Sequence, residues 1–469
     1  MSTKKLLILT AVFLALLGFV VFYERFQPTS EEAAKARKKL VDFKEETISA
    51  ITIERPDLPR VDLTRAGKDR WLLAGEPADA GVVSGVVADL GRLDLVGETR
   101  TSFDPMEFGL DSPRAKVTLA FTGGPKAAIL FGKQIPGTDT TAASSEGRFG
   151  AVRFAPVASL SKPLDDFRSK VLFDTPASEI TRVTVARGPS RIVVAKSPSP
   201  DAGKLPEWRI EEPVRDLASR TFVDQMLADL SGARISEFPP TTAADLARIG
   251  LQPPIVTVEL QKGSEAVVSL AFGAARADAT GKLYARRGKS VVVVDDRIQE
   301  NLSKELTAYR EKRVCPVDAW STARFSVDAG SVKVGAEKVE GAWLSAGKAV
   351  PASAVEDLLE RIGRTESAAF VARKDFPAVG LPAAGRKLPP PAVLLEVTPK
   401  GESPRTVRLW EASDQGGRGR YVADVTGRAD GMIVEKAAVD EIRSLAAKVG
   451  AEPKAAPPAK TPAKPPTKP

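Results

Sequence analysis

The amino-acid sequence offers few combinations of residues that could carry out catalysis. Ser345 and Lys348 have the Ser-x-x-Lys spacing in which a lysine can activate a serine nucleophile, but the companion motifs of such enzymes do not accompany them. No histidine occurs among the 469 residues. This excludes the commonest general base, the histidine-based catalytic triads and most zinc sites.

Adjacent acidic residues occur at three places where a catalytic pair of carboxylates could be sought. These pairs are Asp165-Asp166, Glu211-Glu212 and Asp295-Asp296. Glycosidases need two carboxylates that face one sugar bond, whereas adjacent residues on a strand point to opposite faces. We therefore expect solvated carboxylates of turns and caps, and a hydrolase that uses only carboxylates is the most remote alternative.

Asp104, Glu107 and Asp111 resemble an oxygen-rich metal loop, because calcium sites use several acids at close spacing. Two later segments repeat the surrounding pattern but retain only the first of these acids. The positions of Glu107 and Asp111 hold Arg248 and Gln252 in one segment, and Ala378 and Pro382 in the other. No metal and no other cofactor is therefore expected. The single cysteine, Cys315, cannot form an internal disulfide, and we expect a buried, inert thiol, with pairing between chains as the alternative.

What recurs is an acidic residue, an apolar residue four positions later, Gly, Leu and then Pro. The three copies are Asp104, Phe108, Gly109, Leu110, Pro113; Asp245, Ile249, Gly250, Leu251, Pro253; and Asp375, Val379, Gly380, Leu381, Pro382. Asp can cap the free amides of a helical turn, Gly can adopt the left-handed conformation that ends it, and Pro prevents its continuation. The pattern predicts a capped turn that leads into a strand. A later strand ends in Phe131-Gly132 and Phe272-Gly273, whereas the third copy reads Trp410-Glu411.

A tryptophan precedes each copy, at Trp71, Trp208 and Trp343. Alternating apolar residues around it predict strands, and apolar residues at helical spacing predict a helix after it. Thr221 with Asp224, and Ser353 with Glu356, are candidate capping boxes for two of these helices. We expect the strand tryptophans in the core, with a role as carbohydrate platforms as the alternative.

A pattern that recurs at domain-sized spacing indicates a repeated fold. We predict an α+β protein with three tandem repeats, each with a mostly antiparallel sheet and two helices. Phe167-Arg168-Ser169-Lys170 matches Tyr309-Arg310-Glu311-Lys312 at the ends of the first two repeats. The predicted repeats are therefore residues 44–170, 171–313 and 314–450.

The amino terminus predicts a membrane anchor. Residues 6–23 carry no charge and follow Lys4 and Lys5, close to the length of about 20 residues that a bilayer requires. The run ends in aromatic residues and lacks a small-residue cleavage site, which favours an uncleaved anchor over a signal peptide. We predict an anchor in residues 1–26 that contacts lipid through residues 6–23, and a juxtamembrane linker in residues 27–43. The bulk of the chain would then lie in the periplasm, outside a bacterial inner membrane.

Residues 451–469 consist mainly of Pro, Ala and Lys, and they cannot bury enough apolar surface to fold. A disordered basic tail is predicted. This tail and the two lysines before the anchor contribute five of the net charge of +8. A nucleic-acid-binding protein would instead concentrate basic residues on its folded part, with aromatic residues for stacking. With 6% aromatic residues, no nucleic-acid partner is expected.

The anchor, the tryptophan strands, the Asp-x-x-x-Phe-Gly-Leu-x-x-Pro segment and the Arg-x-Lys helix end together resemble the bacterial domain-of-unknown-function family 4340. The resemblance extends from about Lys44 to Gly450, with weaker agreement in the third repeat. Members of that family look like envelope proteins found beside exporter components of the gliding-motility ABC type. The resemblance implies a membrane-anchored accessory partner of such a transporter, and it supplies no catalytic residues.

The sequence therefore favours a non-enzymatic accessory or scaffold protein. Its tethered repeats would present an extended surface to a membrane-protein partner, such as an ABC transporter permease or accessory subunit. The alternative is a module that binds an envelope polymer, glycan or peptidoglycan, through clefts between repeats and the basic tail.

Overall fold

The computed structural model describes residues 19, 38–100, 103–153, 155–197, 206–412 and 419–451. These residues form three antiparallel sheets with a few helices, which confirms the predicted α+β class with three repeats. The predicted anchor and tail lie outside the described residues, apart from Phe19 and Ala451. Within the described ranges, no helix is both long and apolar enough to cross a membrane.

The first sheet lies within the first predicted repeat and has nine strands. They are β1 (Ile48–Arg55), β2 (Leu58–Arg65), β3 (Trp71–Leu73), β4 (Glu76–Pro77), β5 (Leu95–Arg100), β6 (Ala115–Phe121), β7 (Ala127–Gln134), β8 (Thr140–Ser145) and β9 (Arg148–Arg153). Their order across the sheet is β4-β3-β2-β1-β6-β7-β8-β9-β5. The chain thus makes two meanders that meet where β1 pairs with β6, with Ile53 opposite Val117.

The second sheet has eight strands. They are β10 (Arg182–Arg187), β11 (Ser190–Ser197), β12 (Glu207–Glu212), β13 (Asp216–Leu217), β14 (Val256–Lys262), β15 (Glu265–Ala275), β16 (Lys282–Arg287) and β17 (Ser290–Asp295). The order is β13-β12-β11-β10-β14-β15-β16-β17, and Val185 faces Val258 where the two meanders meet.

The third sheet again has nine strands. They are β18 (Thr322–Ala329), β19 (Val332–Val339), β20 (Ala342–Ser345), β21 (Lys348–Ala349), β22 (Ala369–Val371), β23 (Val393–Pro399), β24 (Arg405–Ala412), β25 (Arg420–Val425) and β26 (Gly431–Glu435). The order is β21-β20-β19-β18-β23-β24-β25-β26-β22, and Val327 faces Leu395 at the seam. The three sheets therefore share one topology, and only the edge strand represented by β5 and β22 has no counterpart among the described residues of the second repeat.

Eight α-helices accompany the sheets in the described part of the chain. They are α1 (Ala80–Gly91), α2 (Ala155–Ala158), α3 (Arg220–Gly232), α4 (Ala243–Arg248), α5 (Ile298–Leu302), α6 (Leu306–Tyr309), α7 (Ala352–Arg364) and α8 (Lys436–Gly450). Helices α1, α3 and α7 follow the tryptophan strands, as the helical spacing of their apolar residues predicts, and each buries that apolar face.

The predicted capping boxes of α3 and α7 are wrong. Thr221 and Ser353 lie inside these helices, and the N-cap residues are Ser219 and Pro351. The Ser219 hydroxyl accepts a backbone N–H of the first turn at 3.3 Å. A hydroxyl two positions before Thr221 therefore satisfies a free amide at the helix start and sets where the helix begins.

The repeats differ most at their ends. The first two close with short helical turns, which include α2, α5 and α6. The third closes with the 15-residue helix α8, which packs against α7 and β19.

The described residues fall into two compact units. One extends to Val171 and includes Ser236–Phe238, and the other begins at Leu172 and contains the rest of the second repeat together with the third. Each sheet buries its apolar face against the helices of its own repeat, so the cores are local to the repeats.

Candidate functional site

The recurring Gly-Leu segment forms the same helix-ending turn in all three copies. The glycines Gly109, Gly250 and Gly380 have φ angles of 67°, 70° and 82°. In each copy the next Leu donates its N–H to the carbonyl five residues earlier, and the glycine donates to the carbonyl three residues earlier. These two bonds define a Schellman motif. The leucines are buried: Leu110, Leu251 and Leu381 are 5%, 1% and 5% exposed.

The acidic residue of the pattern occupies a different position in each copy. Asp104 accepts the backbone N–H two residues later at 3.0 Å. Asp245 is the third residue of α4, and its carboxylate accepts the N–H of the cap residue Thr242 at 3.0 Å. Asp375 lies in the first turn of a short 3-10 helix whose cap is Ala372. In the second and third copies the predicted cap assignment is therefore wrong, because the helix begins before the Asp.

The remaining residues of the pattern lie around these turns. The ring of Phe108 packs 4.7 Å from that of Phe149, and Ile249 is 6% exposed. Val379 packs against the cluster that contains Phe376. The prolines lie in the loops between the turn and the next strand: Pro113 and Pro382 are half-buried and Pro253 is exposed.

Two strand glycines lie directly against the turn. The residue after Gly132 donates its N–H to the carbonyl of Phe108, and the residue after Gly273 donates to that of Ile249, both at 2.8 Å. A Cβ atom at these glycines would lie only 2.2 and 2.3 Å from the same two oxygens. Because no side chain fits at that distance, glycine is required for the turn to dock on the sheet.

In the third repeat, a tryptophan takes the place of the strand glycine that packs against the turn. The pairing of β23 with β24 places Leu409 where the other repeats have a core phenylalanine. Trp410, rather than Glu411, therefore stands at the glycine position, which shifts the alignment of the sequence by one residue. Its indole packs against Phe376 and Leu381 of the turn.

The recurring tryptophans belong to the three cores. Trp71, Trp208 and Trp343 are 5%, 2% and 2% exposed, which confirms the expected core position and leaves no face open for a sugar. The indole N–H of Trp208 also donates to Asp224 of α3 at 3.0 Å, and so links the strand to the helix.

A basic side chain lies over each of these tryptophans from the neighbouring strand. Arg65, Lys196 and Lys338 are the direct cross-strand partners, and their charged groups lie 5.4, 4.9 and 5.4 Å from the rings. Each also donates to a carbonyl of the loop before the first strand of its sheet. Sequence reasoning missed these residues, because loops of different length separate them from the tryptophans.

Five of the six adjacent acids form ion pairs: Asp165 with Arg168, Asp166 with Lys170, Glu211 with Arg182, Glu212 with Arg191 and Asp295 with Arg297. Ser345 and Lys348 face each other across the two-residue turn of a hairpin, and Lys348 is exposed. The described ranges also contain no group of three or more acidic or cysteine side chains that could hold a metal ion.

Cys315 is a buried free thiol, as expected. Burial raises its pKa to about 11, so the thiol remains protonated and unreactive at neutral pH.

The most elaborate polar arrangement lies where the second repeat meets the third, within one compact unit. Residues 310–315, here called the linking segment, follow α6. Ser219 at the start of α3 donates its N–H to Tyr309 at 2.7 Å, and Glu311 donates to Leu217 at 3.0 Å. Further along, Val314 donates to Thr365 at 2.9 Å, just beyond α7. The linking segment is therefore hydrogen-bonded to both repeats.

The first repeat contains the same backbone pattern. Asp79 donates its N–H to Phe167 at 2.9 Å, and Ser169 donates to Pro77 at 3.0 Å. The Arg-x-Lys match thus marks a segment that closes over the start of the first helix of its repeat. Leu40 also donates to Leu93 beyond α1 at 2.9 Å, as Val314 does beyond α7.

Buried charges hold the linking segment in place. Arg310 is 4% exposed, and its guanidinium contacts Asp216 of the second repeat at 2.6 Å and Asp430 of the third at 2.8 Å. Arg428 pairs with the other oxygen of Asp216 and donates to the carbonyl of Glu311 at 2.5 Å. The side chain of Asp216 is completely buried. Two guanidinium groups thus share one buried carboxylate across two repeats.

Phe370 completes this network. The Arg310 guanidinium lies 3.7 Å from the centre of its ring, a distance that allows cation–π attraction. Burial raises the pKa of Glu311, but hydrogen bonds from Arg313 outweigh this effect and hold the pKa below its usual value. Glu311 is therefore charged and paired with Arg313 at neutral pH.

The arrangement can fix geometry but has no feature of a reaction centre. Each carboxylate of the network meets an arginine of the protein itself, so no carboxylate is left to accept a proton from a substrate. Removing the shared carboxylate of Asp216 would leave buried positive charge without full compensation.

Comparison with known protein families matches residues 73–211 and 208–383 to the family described as "Domain of unknown function (DUF4340)". The chain belongs to this family. Both matches begin at or beside a tryptophan strand and continue past the repeat that contains it. No curated protein and no solved structure gave a significant match.

The close contact between the turn and the sheet predicts that one methyl group added at Gly273 destabilises the protein. Gly273→Ala should lower the free energy of unfolding by about 1–3 kcal/mol, because the new Cβ would overlap the carbonyl of Ile249. Denaturant unfolding measures this change. Gly232→Ala is the control, since open space surrounds Gly232. Equal effects of the two substitutions would contradict the packing argument.

The capping box of α4 predicts a pH dependence. Hydrogen bonds from Thr242, followed by Arg248, lower the pKa of Asp245 to about 2. Because the folded pKa is depressed, the stabilisation is present above the unfolded value of about 3.9 and is lost as pH falls through 2. Asp245→Asn should therefore lower the melting temperature at pH 6, and the difference from wild type should shrink between pH 4 and 2. A difference that stays constant over this range would rule out the carboxylate as its source.

The buried network predicts a large cost for removing its shared carboxylate. Asp216→Asn should destabilise the second unit by about 3–5 kcal/mol, because Arg310 and Arg428 would lose a counter-charge. Adding Arg428→Met should recover part of this loss. Glu179→Gln, which breaks the exposed pair with Lys262, is the control and should have no measurable effect. If Asp216→Asn behaves like the control in chemical denaturation, the network does not hold the junction.

Proposed function

We propose that this protein is a non-enzymatic, membrane-anchored scaffold in the bacterial periplasm, and that it partners an ABC-type transporter complex. The observation that carries the proposal is the buried junction of Arg310, Asp216 and Asp430. It joins two repeats through charges that belong to the protein alone, which is the construction of a spacer with fixed geometry rather than of a reaction centre.

The distribution of the recurring residues supports the same role. The glycines and leucines of the pattern build turns, and the tryptophans fill cores. What the repeats have in common therefore serves folding and joining, and the surfaces are left to differ. A partner in the same membrane would meet these surfaces at a high effective concentration, because an anchor would confine both to one plane.

The nature of the partner rests on the family. The chain belongs to the DUF4340 family. The sequence resemblance to that family implies an envelope protein that accompanies ABC exporter components. A membrane-embedded permease or accessory subunit is the partner that such a tethered scaffold fits best.

Purification of the full-length chain in mild detergent after crosslinking should recover a membrane-protein partner. A variant whose residues 1–26 are replaced by an unrelated single-pass anchor should recover it as well, because the repeats provide the contact. Alkaline phosphatase fused after Gly450 must be active in the same cells, which checks the orientation.

A chain that is recovered alone and monomeric under crosslinking would overturn the proposal. Loss of the partner in the anchor-swapped variant alone would place the contact in the membrane segment instead of the repeats.

A further inference from the structure

One tryptophan does not belong to any core. Trp320 lies in the loop before β18 and is 82% exposed. The other four tryptophans of the sequence are at most 5% exposed. A large indole left in solvent costs free energy that a bound apolar surface would recover.

Two ammonium groups approach this indole. Nζ of Lys400 lies 5.6 Å from the ring centre and Nζ of Lys338 lies 5.9 Å from it. Lys338 also donates to the carbonyl of Ala319 at 3.4 Å, so it links the loop to the strand. The site therefore combines an exposed indole with two ammonium groups that lie over its ring.

The loop that carries the indole is held in place. The Asp318 carboxylate accepts the N–H of Ser321 at 2.7 Å, and the N–H of Lys400 donates to the carbonyl of Ser321 at 2.7 Å. The nearest acid of the loop is thus committed to the backbone. A ligand would meet a preorganised ring and would not have to order the loop.

We propose that Trp320, Lys338 and Lys400 form a binding site for a carboxylated glycan. The C–H face of a sugar ring packs on an exposed indole, and its carboxylate is complementary to the two ammonium groups. The inference goes beyond the scaffold role and does not depend on it, because the site lies on the third repeat alone. Just before the first strand of the other sheets, the corresponding positions hold Glu45-Glu46 and Ser178-Glu179 instead of an aromatic residue.

The size of the patch favours a glycan over a protein partner. A stable protein interface buries about 800 Å² on each side, whereas one indole provides about 150–250 Å². A polymer can bind through so small a site, because neighbouring sugars of one chain can occupy it in turn.

The charge of the patch also distinguishes a glycan from a lipid surface. Recognition of anionic membranes uses clusters of about four to eight basic residues, whereas two lysines flank this indole. Two lysines at one ring therefore favour a ligand that carries a localised negative charge.

Tryptophan fluorescence of the full-length protein tests the proposal, because acrylamide reaches Trp320 while the other indoles are buried. Oligogalacturonate should bind and protect the fluorescence from acrylamide, whereas a neutral galactan oligomer should bind much more weakly. Trp320→Ala should weaken binding about tenfold and Lys400→Gln several-fold, measured by calorimetry. Lys333→Gln, an exposed lysine paired with Asp328 on the same sheet, is the matched control and should bind as wild type does.

Higher salt should weaken the interaction, since the lysines are exposed to solvent. The basic tail is present in every variant, so its non-specific attraction cancels when variants are compared for one ligand, and the comparison of the two oligomers is repeated on a chain that ends at Gly450. Three results would overturn the proposal: no binding of oligogalacturonate, equal binding by Trp320→Ala, or equal affinity for the neutral oligomer. Vesicles of phosphatidylglycerol and phosphatidylethanolamine that bind in a Trp320-dependent manner, without oligogalacturonate binding, would assign the site to lipid instead.

Discussion

The arrangement of the second and third repeats depends on one buried guanidinium group. The Arg310 guanidinium is buried, so its positive charge must be matched by nearby carboxylates. Asp216 supplies one match from the second repeat and Asp430 supplies another from the third. The two repeats must therefore keep the relative position in which both carboxylates reach the guanidinium.

The third repeat is not built to receive another arginine. Lys348 of β21 stands where β4 has Glu76 and β13 has Asp216, so the local charge is reversed. Pro351 stands at the helix cap where Asp79 and Ser219 donate an N–H to the closing segment, and proline has no N–H. The long helix α8 packs in place of such a segment. Terminal repeats of tandem arrays commonly replace joining surfaces in this way.

Local chemistry explains what could be predicted from the sequence. A left-handed glycine, an alternating strand or an amphipathic helix depends mainly on residues a few positions away. The three repeated sheets and the turn at Gly250 could therefore be predicted from the residue pattern. The contact of Arg428 with Asp216 spans 212 residues, and no local signal marks either partner. The predicted cap at Thr221 was wrong because Ser219, two positions earlier, is the N-cap of that helix. The alignment of Trp410 with the strand glycines of the other repeats could be established only from the pairing of β23 with β24.

The limits of the family matches do not coincide with the limits of the sheets. The first match runs from Leu73 to Glu211 and the second from Trp208 to Ala383, so each contains the end of one repeat and the opening strands of the next. The first match includes Arg168 and the second includes Arg310, so the segment that closes each of the first two repeats lies inside a match rather than at its edge.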